Sequence, residues 1–178
     1  TPDSERTMCT FLGTAGKINE NDVNIEVVKN SEMIFLEGYL WDEGEPKKAF
    51  EKAIKSANKV AMSLSDQFCV DRHKQHFLDL VENKLDITFA NEQEIMSLID
   101  AKNFSDVIDF GKNLKKLLVI TRGDKGAISI NGDKVTIIFS ISESILCFIL
   151  LADISIYISW WNENLLNKWV IKHFKYGI

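Results

Sequence analysis

Two stretches of this 178-residue chain end in side chains that could hold a phosphate or a hard cation. Residues 86–94, DITFANEQE, run from apolar positions into Asn91 and Glu94. Residues 116–130, KLLVITRGDKGAISI, run into Thr121, Gly123 and Gly126. Each reads as a buried strand with a polar end, and open α/β sheets collect ligands outside the carboxyl ends of their strands. Mg2+ keeps several waters and takes few direct protein oxygens, so Asn91 and Glu94 would suffice to organise it through water beside a phosphate. The same N-x-x-E spacing also matches a capping box, in which each side chain satisfies a free N–H of the other residue. The two roles are compatible. Gly123 lets the main chain approach a nucleotide closely, while GDKG by itself also describes a hairpin turn.

Arg6, in DSERTM, offers a planar fork suited to a phosphoryl oxygen. Asp3 and Glu5 are its alternative partners. The run CVDRHKQH brings Cys69, Asp71, His73 and His76 together, but it holds one cysteine and two histidines three apart. No distant second pair of ligands completes a zinc set, and no motif marks a cysteine nucleophile with its orienting third group. Both histidines read as surface residues of a helix.

The elements that must position these residues alternate. The spacing predicts strands over 7–12, 32–39, 60–64, 86–90, 117–121 and 127–130. Helices are expected over 22–29, from Pro46 through Ala57, after an Asp71 cap, from Asn91, and over 104–114. Ala49, Phe50, Ala53, Ile54 and Ala57 recur at helical spacing and form one apolar face. Phe77, Leu78 and Val81 give the next helix its buried side, and Ile95, Met96 and Ile99 do the same after Asn91. Strands separated by helices imply βαβ units, hence an α/β fold with a mostly parallel sheet and helices on both faces.

From Lys134 the character changes. Residues 134–178 hold ten isoleucines and three of the four tryptophans, with Gly177 the one glycine. The apolar run 144–152 is bracketed by Glu143 and Asp153 and is far shorter than the roughly 20 residues a membrane span needs. A buried strand or helix is expected there in place of an anchor. The expected organisation is an α/β part over 1–133 and an atypical apolar tail over 134–178.

Bulk properties narrow the function classes. Hydrophobic residues make up 46% and charged residues 26%, ordinary for one soluble globular domain. A net charge of −5 leaves no basic surplus for nucleic acid. Three scattered cysteines suit free thiols in a reducing, cytoplasmic setting. The abrupt polar start suggests a chain that begins inside a longer protein.

Five segments in order, TPDSERTMCTFLGTA, IFLEGYLWD, SLSDQFCVDRH, DITFANEQEI and LLVITRGDKGA, resemble the ribokinase-like (PfkB-type) sugar and nucleoside kinases, especially the adenosine-kinase-like branch. They cover about residues 1 to 132. The resemblance implies a three-layer αβα sandwich, here truncated, and transfer of the γ-phosphate of ATP to a hydroxyl of a sugar or nucleoside. It matches Asn91 and Glu94 to the element tied to Mg2+ and phosphate. Thr121 and Gly123 match the strand end bordering the nucleotide, with Gly126 in the same turn, and Arg6 matches an arginine near the transferred phosphate. Two family parts have no counterpart in this sequence: the N-terminal half, with much of the lid over the acceptor, and the later D-T-x-G-A-G-D run. That run supplies the anion hole and the base, so the chain alone is expected to be catalytically incompetent. A non-catalytic nucleotide- or protein-binding module is the alternative, and pairing with a second copy would cover unpaired sheet edges.

Overall fold

The computed structural model describes Cys9, Phe11 and residues 13–41 and 46–139. Arg6, most of the expected first strand and the apolar tail from residue 140, with its tryptophans, lie outside the described residues.

Six strands form one sheet in chain order, β1 to β6. They are β1 (Ile34–Glu37), β2 (Val60–Ser63), β3 (Ile87–Asn91), β4 (Leu117–Thr121), β5 (Ala127–Asn131) and β6 (Lys134–Ile138). The first four pair in parallel. Helix α1 (Ile25–Asn30) precedes β1, α2 (Pro46–Ser56) joins β1 to β2, and α3 (Gln67–Asp79) joins β2 to β3. Helices α4 (Glu92–Leu98) and α5 (Phe104–Leu114) join β3 to β4.

Because these parallel strands lie side by side in chain order, right-handed crossovers carry α2 to α5 across one face of the sheet. The burial pattern agrees. Leu36, Met62, Thr88 and Leu118 occupy one register row and all are buried. On the alternate row Phe35 is 44% exposed, Ala61 is buried, and Ile87 and Leu117 are half-buried. The described residues thus supply the sheet and one helical layer of the α/β architecture expected from the strand–helix alternation.

Local chemistry explains the boundaries. Pro46 starts α2, where a missing N–H costs nothing, and Ala49, Phe50 and Ala53 face the core. Asn103 caps α5 by accepting from Ser105 and Asp106, and the Asp106 carboxylate accepts from the Asn103 N–H at 3.2 Å. The cap of α3 differs from expectation. Asp66, not Asp71, starts it: the Asp66 backbone is extended and its side chain accepts from Phe68 N at 2.7 Å. Asp71 lies inside the helix, where it accepts a bond from the Ser97 hydroxyl of α4. Strand β1 also ends earlier than its apolar run suggests, because residues Gly38–Trp41 turn into a 3-10 helix. Helix α1 starts late, at Ile25, since Asn24 accepts from Glu26 and Val27 and sets its first turn.

Helix α5 ends on Lys115 with φ 54, a left-handed conformation that disfavours a residue with Cβ. Replacing Lys115 by Gly should stabilise the fold by about 0.5–1 kcal/mol. Urea unfolding midpoints of the two chains check this, and an unchanged or lower midpoint would show that the Lys115 side chain contributes more than its conformation costs.

The backbone divides into two compact units. Residues Arg122–Ile128 and the end of β6 from Ile137 belong to the second. Within that unit Gly123 (φ 57) opens a 3-10 turn, Gly123–Lys125, and Gly126 (φ 88) closes it. Arg122 N donates to Gly126 O at 2.8 Å. Both glycines occupy left-handed backbone that L residues avoid, which explains their place in TRGDKG.

Candidate functional site

Strand β3 ends where α4 begins, and that junction holds the two residues singled out first. Asn91 and Glu94 form a reciprocal capping box. Asn91 Oδ1 accepts from Glu94 N at 2.8 Å, and Glu94 Oε2 accepts from Asn91 N at 2.9 Å. A third bond runs from Asn91 Nδ2 to Glu94 Oε1 at 2.7 Å. Asn91 is exposed at the strand end, whereas Glu94 is only 5% exposed.

A capping carboxylate normally sits in water. This one is buried, and burial pushes its pKa up. The hydrogen bond from the Asn91 backbone opposes that shift, while the negative charges of Asp66 and Glu37 add to it. Both carboxylate oxygens are bonded to Asn91, yet the charge is held out of water, with two further carboxylates adding to the shift. Such sites favour a proton or a cation.

The neighbouring strand completes the edge. Asn91 and Thr121 are register partners on β3 and β4, so both stand at the same level where the parallel strands end. Gly123 and Gly126 follow in sequence, in the turn already described.

Sequence reasoning missed five residues in this region. Glu37 ends β1 and accepts from the Ser65 hydroxyl at 2.9 Å. Ser65 is itself left-handed, at φ 71. Asp66 caps α3 from the end of the β2 segment. Tyr39 follows Glu37, and its hydroxyl pKa is raised by burial first and then by Asp66, Cys69, Glu94 and Glu37. Phe68, in the first turn of α3, is 71% exposed. The signal available for Asp66 was its place after the apolar run VAMSL, where a polar residue with extended backbone caps a helix. Tyr39 and Glu37 gave no such signal, because their segment reads as uninterrupted strand.

Cys69 is buried, with Arg72 Nη2 3.9 Å from its sulfur. His73 stacks at 6.0 Å on Phe77, and the His76 ring lies against Lys47 Nζ. These histidines thus pack against neighbours on α3 and α2. Among the described residues no three His, Cys, Asp or Glu side chains converge as a metal cluster. The donors at the β3 end are hard oxygens, with one carboxylate buried. They fit a cation such as Mg2+ that keeps its water and asks for few direct ligands.

Comparisons with known proteins address the same region. The model of the pfkB family of carbohydrate kinases matches residues 1–144. No curated protein sequence matched. Among solved structures, a probable sugar kinase from Rhizobium etli CFN 42 is 32% identical with a TM-score of 0.68, over 71% of this chain and 40% of its own. The adenosine kinase from Sinorhizobium meliloti is also 32% identical, with a TM-score of 0.67, over 72% of this chain and 41% of its own. Aminoimidazole riboside kinase from Salmonella enterica, complexed with aminoimidazole riboside and an ATP analog, is similar in fold (12% identity, TM-score 0.60, 71% of this chain and 45% of its own). The chain therefore spans about two fifths of the length of the first two structures. Strand order, the polar strand ends and a family match over most of the sequence agree: this chain belongs to the pfkB family of carbohydrate kinases and has its ribokinase-like α/β fold.

Proposed function

We propose that this chain carries the phosphate-binding side of an ATP-dependent kinase site that acts on a hydroxyl of a sugar or nucleoside. The observation that carries the reading is the buried Glu94 in the first turn of α4, bonded to Asn91, which ends β3 level with Thr121 on β4. Asn91 and Glu94 hold Mg2+ through its water shell, Thr121 borders the nucleotide, and the glycines at 123 and 126 allow close main-chain approach. The family resemblance assigns Arg6 to the transferred phosphate. When bound, Mg2+ neutralises charge on the polyphosphate; phosphoryl transfer otherwise depends on positioning and electrostatic stabilisation.

The sequence after Gly132 holds no D-T-x-G-A-G-D run, the element that the family resemblance ties to the base and the anion hole. We therefore expect this chain by itself to transfer no phosphate. A coupled ADP-release assay over ribose, fructose and adenosine measures this. Acceptor-dependent turnover by the isolated chain would overturn the expectation. A cytoplasmic location and pairing with a second copy remain part of the proposal.

A further inference from the structure

We draw no further inference here: the strongest candidate, the alternate face of the sheet where Phe35 is exposed and Ile87, Phe89 and Leu117 are half-buried, is an apolar surface for which nothing in the structure shows what covers it.

Discussion

Glu94→Gln should abolish most binding of Mg·ATP while leaving the fold intact, and Glu94→Ala should damage both. The contrast follows from the two roles of one side chain. Gln also serves at the third position of a capping box, so the bond from Asn91 N can persist. Ala loses it and leaves a backbone N–H without its partner, at a cost of about 1–3 kcal/mol. For binding, what matters is the charge. A hydrogen bond or water bridge to a charged group contributes about 1.5–3 kcal/mol, so loss of the carboxylate should weaken Mg·ATP by roughly ten- to a hundredfold. If Glu94 were only a cap, Gln would bind as the native chain does.

The same substitution has a pH signature in the ligand-free protein. The Glu94 pKa is raised in the folded chain by burial. A carboxyl with a raised folded value favours folding in its protonated form. Its contribution is fully present below the unfolded value and is lost as pH rises through the raised one. Stability of the native chain should therefore fall across that window, and Glu94→Gln should remove that part of the fall. Denaturant unfolding on either side of the ordinary carboxylate range reads it. An identical pH profile for both chains would mean that Glu94 is not the group responsible.

Gly38→Ala should destabilise the protein by about 1–3 kcal/mol, as overpacking in a tight site does. A Cβ at Gly38 would lie 2.6 Å from the carbonyl oxygen of Leu64 and 3.0 Å from that of Ser63. Both are backbone atoms, so no side-chain rotation relieves the clash. The β2–α3 turn must move instead, and with it Ser65 and Asp66, the residues that hold Glu37 and cap α3. Gly111→Ala is the useful control. The nearest atoms to its Cβ would be Cδ1, Cγ2 and Cβ of Ile130, at 2.9, 3.0 and 3.1 Å, with no backbone among them. Ala gains about 0.5–1 kcal/mol over Gly inside a helix, which offsets part of that overpacking. Thermal unfolding should lower Tm by roughly 2–4 °C per kcal/mol for a chain of this size. A larger drop for Gly111→Ala than for Gly38→Ala would contradict this packing argument.

Much of the architecture was readable from side-chain periodicity. The strands at β2, β3 and β4 and the helices α2 and α5 fall where apolar spacing and capping residues place them, because local propensity and burial agree there. Asn91 and Glu94 were legible as a cap, and their reciprocal hydrogen bonds form it. What could not be read depends on neighbours distant in sequence. At the early end of β1, Gly38 packs so closely on the Leu64 backbone just past β2 that a Cβ would not fit, a contact no local pattern shows. The choice of Asp66 over Asp71 as cap follows from where β2 stops. The raised pKa of Glu94 comes first from burial, a product of tertiary packing, with Asp66 and Glu37, 28 and 57 positions earlier, adding to it.

Calorimetric titration of Mg·ATP into the native chain and into Glu94→Gln is the most direct test. A saturable heat for the native chain, reduced at least tenfold in affinity in Glu94→Gln at equal folded fraction, is the predicted result. No binding at millimolar ligand, or equal binding by both chains, would contradict the claim that the end of β3 grips a nucleotide's phosphates through a cation.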